Sequence, residues 1–203
     1  MKAILGVIGV IVLAVIAFVG YQYWRLQQAA VEWESAEEII SESIEQEDRT
    51  WVVKFQSVID KPLDQVWQAV QQPERSSEFI SNFKKSELKK HEGNKKVIET
   101  QVQVLTLPVQ TAVMEYTFDE ANKSVDLKTL QSASQDLSAS LKLEPSPDGK
   151  KTLLTYDAKA TPKINVPLPV SAQKGAMREL FVKTVQAIKK GIEDEETKRK
   201  GAA

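Results

Sequence analysis

Apolar residues recur along this chain with two periods, and the switches between them mark its elements. From Trp51 to Ile59 they alternate, with Val53, Phe55, Ser57 and Ile59 on one face and Val52, Lys54, Gln56 and Val58 on the other. That is the pattern of a strand. Asp60 is placed to cap a following helix, and Pro62 falls in its first turn, where proline is tolerated. Val66, Trp67 and Val70 give that helix an apolar stripe, and Pro73 ends it. A second short helix, Glu74–Ser81, presents Phe79 and Ile80, with Phe83 just beyond. Alternation returns over Lys84–Lys90, Lys96–Leu105, Val109–Phe118, Ser124–Leu130, Ala133–Leu143 and Thr152–Ala160. Short turns such as Glu92-Gly93-Asn94 join these segments. Seven strands so connected predict an antiparallel meander. Pro162, Pro167 and Pro169 then break the chain. The period lengthens to that of a helix from Val170 to Ile192, with Ala176, Met177, Leu180, Phe181, Val185, Ile188 and Ile192 on one stripe.

Two segments precede the first strand. Ala3–Gly20 is an uncharged apolar run, near the roughly 20 residues that span about 30 Å of hydrocarbon. Tyr21, Tyr23 and Trp24 follow where an interfacial aromatic belt sits, and Arg25 closes the span. A cleaved signal peptide is the competing reading. The length of the run, the short Met1-Lys2 lead and the lack of a clean small-residue cleavage site favour an uncleaved single-pass anchor over residues 1–25. Residues 26–50 hold eight acidic groups and one arginine, with good helix formers and no Gly or Pro. They are expected to form an acidic helical linker, in which Trp33, Ala36, Ile40 and Ile44 space as one stripe. The linker is a solvated stalk or a seam for self-association.

The segment after the first strand resembles the opening of the START-like, polyketide-cyclase/dehydrase (SRPBCC) superfamily. Its I-x-x-P-x-x-x-V-W element stands as Ile59, Pro62, Val66 and Trp67, and its P-E-x-x-x-x-F/W-I element as Pro73, Glu74, Phe79 and Ile80. The element order over residues 51–192 matches as well. The resemblance implies an α+β helix-grip fold: a seven-stranded curved antiparallel sheet around a long C-terminal helix, with two short helices after the first strand. One transmembrane helix would precede it, and residues 193–203 would be a polar tail. It further implies a cavity for apolar molecules between sheet and helix. The candidate lining is Phe79, Phe83, Val102, Val104, Val113, Leu137, Met177, Leu180, Phe181 and Val185. The same residues serve equally well as plain core.

Composition narrows the chemistry. The chain has no cysteine and one histidine, His91, which excludes disulfides, thiolate metal sites and multi-histidine metal centres. His91 lies among lysines beside a turn, with no neighbour in sequence to orient it as a base. No phosphate loop, nucleophile elbow or zinc motif is present, so no cofactor, metal or catalytic residue is assigned. Glu99 and Glu115 on neighbouring strands, or Tyr116, Tyr156 and Arg178 at a pocket, are the polar groups an enzyme on an apolar substrate would need. Lys84, Lys85, Lys89, Lys90, Lys95 and Lys96 make a basic hairpin, read as an edge protected against pairing or as a contact for anionic headgroups. Residues 51–203 carry 24 basic against 20 acidic groups and no aromatics interleave the lysines, which argues against nucleic acid.

The expected function is membrane-anchored binding or transfer of a lipid or other hydrophobic small molecule. The alternatives are a cyclase or dehydratase on an apolar substrate, or a module for an unknown protein partner. The expected location is a bacterial inner membrane, with the domain on the periplasmic side.

Overall fold

The computed structural model describes residues 31, 33–35, 37–104 and 107–201. The chain divides into two units, Met1–Glu34 and Ser35–Ala203. The first lies almost wholly outside the described residues, and the expected span Ala3–Gly20 lies there too. Among the described residues no helix is long and apolar enough to cross a membrane. The second unit holds every strand and helix among the described residues, together with their hydrophobic core.

Eight strands, not the expected seven, form one antiparallel sheet. They are β1 (Ser41–Glu47), β2 (Thr50–Ile59), β3 (Phe83–Glu92), β4 (Lys95–Val102), β5 (Gln110–Asp119), β6 (Ser124–Ser132), β7 (Gln135–Pro145) and β8 (Thr152–Pro162). Their order across the sheet is β1-β2-β8-β7-β6-β5-β4-β3. Helix α1 (Leu63–Val70), a 3-10 turn (Pro73–Arg75) and helix α2 (Ser76–Phe79) carry the chain from β2 to β3 across the width of the sheet. Helix α3 (Val170–Gly201) packs against β2, α1 and α2.

The extra strand corrects the helical reading of the acidic linker for Ser41–Glu47, while its residues 26–30 lie outside the described residues. Ser41–Glu47 runs antiparallel to β2 in unbroken register, with Ile44 opposite Val53. Without it the edge of β2 would leave backbone donors and acceptors unpaired, and seven inter-strand pairs outweigh a modest helix propensity. Asp48 takes a left-handed conformation (φ 54°) and closes the turn, while Ile39 enters the core. Two other expectations also change. Asp60 does not cap α1; Pro62 holds the N-cap position, and its carbonyl accepts from the backbone N–H of Gln65 and Val66. The polar tail after Ile192 stays helical through Gly201. Lys61 donates to Glu196 at 3.1 Å and Arg75 to Glu195 at 3.0 Å, tying the last turns of α3 to the α1–α2 segment.

The core lies between the inner face of the sheet and α3. Trp51, Val53, Phe55 and Ile59 of β2 meet Phe181, Val185, Ile188 and Ile192 of α3 and Val66 and Trp67 of α1. Trp67 also donates its indole N–H to Glu120 at 2.6 Å, which pins α1 to the β5–β6 turn.

Candidate functional site

One half of the interior is packed and the other is hollow. A cavity of about 610 Å³ lies inside the sheet. Ligand pockets commonly measure roughly 300–1,000 Å³. Its walls are the inner faces of β2 and of β4 to β8, the inner side of α3 from Gln173 to Arg199, the α1–α2 segment and the loops at one end of the sheet. Inward-facing residues alternate along each strand: Thr100 and Val102 on β4, Ala112, Met114 and Tyr116 on β5, Leu127 and Thr129 on β6. Leu137 and Leu141 follow on β7, and Leu154, Tyr156, Ala158 and Ala160 on β8. From α3 come Ala176, Met177, Leu180 and Phe181.

Of the ten residues named from sequence, Phe79, Phe83, Val102, Val104, Leu137, Met177, Leu180 and Phe181 stand in this wall. Val113 does not. Its neighbours Ala112 and Met114 face inward, so the alternation turns Val113 to the outer face, opposite Glu99. Val185 is fully buried in the packed core and reaches no free volume. The expected lining omits the inward side of β5 and β6, where Met114, Leu127 and Thr129 lie. The signal was the uninterrupted apolar set Ala112, Met114, Tyr116 and Phe118 on one side of β5.

Glu99 and Glu115 do not form a pair. Both lie on the outer face and are held by lysines, Glu99 by Lys85 and Lys89, Glu115 by Lys128 and Lys95. The hydrogen bond from Lys128 holds the Glu115 carboxyl below the usual carboxylate range. Arg178 pairs with Glu42 on the exposed side of α3 and stands outside the cavity wall. Tyr116 and Tyr156 lie within it. Each is enclosed by protein, and the surface each keeps faces the hollow. Burial raises both phenols: Tyr156 is pushed up to about 12, and Tyr116 higher, helped by Tyr156 nearby.

An aromatic frame fixes these rings. Phe55 stacks on Phe181 at 4.6 Å, and Tyr156 leans on the same Phe181 at 6.0 Å. Trp67 meets Phe118 edge-on at 6.2 Å, and Phe118 stacks with Tyr116 at 6.5 Å. Such contacts contribute about 0.5–1.5 kcal/mol each beyond burial. Charged groups border only the α1–α2 side. Arg75 lies over the Phe79 ring and is bound by Glu78, Glu195 and Gln72. At the opposite end Leu107 and Pro108 face Ile164, Val166 and Leu168 of the β8–α3 loop. Val109, Leu130, Ile164 and Val170, four large apolar residues exposed by 45% or more, cluster around this end.

An antiparallel sheet closed on a long C-terminal helix over a hollow apolar interior defines the START-like helix-grip class. Solved structures agree. The Zhui aromatase/cyclase from Streptomyces sp. R1128 is 15% identical, with a TM-score of 0.62 over 71% of this chain and 94% of its own. A START superfamily protein from Mycobacterium smegmatis is 12% identical (TM-score 0.59, 70% and 97%). Ara h 8.0201 is 17% identical (TM-score 0.55, 71% and 99%). At these identities the likeness concerns the fold. No curated protein matches the sequence significantly. The profile of the family described as polyketide cyclase/dehydrase and lipid transport matches residues 50–193, and the chain belongs to that family.

Proposed function

We propose that this protein binds, and carries to or from a membrane, a lipid or other hydrophobic small molecule. The observation that carries the reading is the cavity of about 610 Å³, walled mainly by Leu, Val, Met, Ala and aromatic side chains. A void of that size costs stability, because its lining lacks contact partners on one side. A ligand restores those contacts and removes its own apolar surface from water. The apolar loops at one end offer the ligand a route that avoids water. In this reading Ala3–Gly20 holds the chain in a membrane, a bacterial inner membrane with the domain on its periplasmic side. Tethering keeps the cavity at the surface where its ligand is dissolved.

Two measurements test the proposal. The unit Ser35–Ala203 is expected to speed transfer of a fluorescent phospholipid from quenched donor vesicles to acceptor vesicles. No acceleration, together with no binding of any apolar dye, overturns the reading. The full chain is expected to stay with membranes after alkaline carbonate extraction. Release into the supernatant removes the anchor and leaves the cavity reading intact.

An enzymatic reading has one observation in its favour, the two tyrosine hydroxyls inside the cavity. A cyclase or dehydratase would use them as proton donors. Steady turnover of an aromatic polyketide-like substrate, lost on changing both tyrosines to phenylalanine, would move the assignment there.

A further inference from the structure

The cavity is not uniformly apolar, and its polar atoms differ in whether they are already used. The hydroxyl of Thr100 donates to the Ala112 carbonyl. That of Thr129 contacts the Met114 sulfur and accepts from the Leu137 N–H at 3.0 Å. Tyr116 and Tyr156 make no hydrogen bond among the described residues, though both line the cavity and sense each other electrostatically. Neither hydroxyl is among the fully enclosed unpartnered atoms, so each opens on the cavity with its donor unused by the protein. Buried tyrosines usually find a partner for the O–H.

Their placement is built into the sheet. Across the inner face Tyr116 is followed by Leu127, Ala139 and Ala158 in one row. In the adjoining row Phe118 is followed by Val125, Leu141 and Tyr156. Two small side chains, Ala139 and Ala158, stand in the row of Tyr116. The rings are held from behind, Tyr116 by Phe118 and Tyr156 by Phe181, so their direction does not depend on a ligand.

We propose that Tyr116 and Tyr156 form a paired hydrogen-bond site that selects ligands carrying an uncharged oxygen, a carbonyl or hydroxyl, on an otherwise apolar skeleton. This rests on the cavity-binding reading and specifies its ligand class. A charged group is disfavoured at this point. The charged wall residues are Arg75, Glu195, Glu196 and Arg199, all on the α1–α2 and late α3 side. A carboxylate beside the tyrosines would lose hydration without gaining a cation. Both phenols stay protonated across the physiological range, so each keeps a proton to donate.

The test compares two probes of nearly equal shape, 2-acetylnaphthalene and 2-ethylnaphthalene. Each displaces N-phenyl-1-naphthylamine from Ser35–Ala203. The ketone is expected to bind about 10-fold more tightly, the scale of one to two net hydrogen bonds. In the Tyr116→Phe/Tyr156→Phe variant the preference falls to near unity, while both compounds still displace the dye. Should the double variant not fold, each single variant is expected to lose part of the preference. Equal binding of both probes by the unaltered protein, or a preference that survives both substitutions, overturns the inference alone. If neither probe nor the dye binds, the cavity reading falls and this inference with it.

Discussion

Helix α3 is one apolar stripe in sequence and two different surfaces in structure. Its middle turns, from Phe181 to Ile192, are the more closely packed: Phe181, Val185, Ile188 and Ile192 are buried against β2 and α1, and of these only Val185 does not also touch the cavity. Its first turns are not. Ala176, Met177 and Leu180 keep part of their surface, facing the hollow. The start of the helix is fastened by polar bonds, with Gln173 donating to the Leu168 carbonyl and Arg178 to Glu42. The middle of the helix therefore mainly holds the fold together, and its start mainly closes a container. The same hydrophobic side chain is worth more where its neighbours surround it on all sides.

The largest expected effect breaks the packed half. Val185→Asp places an unpaired carboxylate at a position with no exposure, and the protein is expected not to fold. Ile192→Ala should cost about 2–5 kcal/mol in a urea titration of Ser35–Ala203. The matching change in the hollow half, Leu180→Ala, should cost less than about 1.5 kcal/mol, because most of the void is already present. It should nonetheless change dye affinity measurably. Equal costs at Leu180 and Ile192 would mean that the two halves are packed alike.

A pH titration sharpens the same contrast. Tyr116 and Tyr156 are the only tyrosines in Ser35–Ala203, so absorbance near 295 nm reports these two alone. Unfolded tyrosine titrates near pH 10, whereas folded Tyr156 titrates at about 12 and Tyr116 higher still. Below pH 10 both states are protonated and these groups add no pH dependence. Above it the unfolded chain loses protons that the folded one keeps, so stability falls as pH rises through the folded values. Phenolate appearing near pH 10 without unfolding would place the rings in open water.

The smallest effects come from two glycines of α3. A Cβ at Gly175 meets nothing within 4 Å, and one at Gly191 meets Phe79 at an ordinary 3.5 Å. Each change to alanine should stabilise the protein by about 0.5–1 kcal/mol, seen as a small rise in melting temperature. A loss at Gly191 would show that Phe79 sits closer to the helix.

The limits of the sequence follow from the same physics. Strong alternation located β2 and β4 to β8, and the 3.6-residue stripe located α3, because burial on one face imposes those periods. β1 was hidden because Ser41–Glu47 has a single large apolar residue, Ile44, and its reason for existing is the free edge of β2. Alternation alone does not fix the face of Val113, because β5 carries apolar residues on both faces there, and a one-residue choice reverses every side chain. Val185 and Met177 belong to the same stripe, and periodicity does not distinguish a residue that fills a core from one that borders a void. The tyrosine pair was visible only as two residue types, since their approach depends on the register of four strands.

The cavity is proposed to take up an apolar ligand. Native mass spectrometry of Ser35–Ala203, purified without detergent and then exposed to phospholipid vesicles, tests it most directly. One tightly held small molecule per chain is expected, present on purification or acquired from the vesicles, and identified after extraction. A bare chain mass before and after exposure would contradict it.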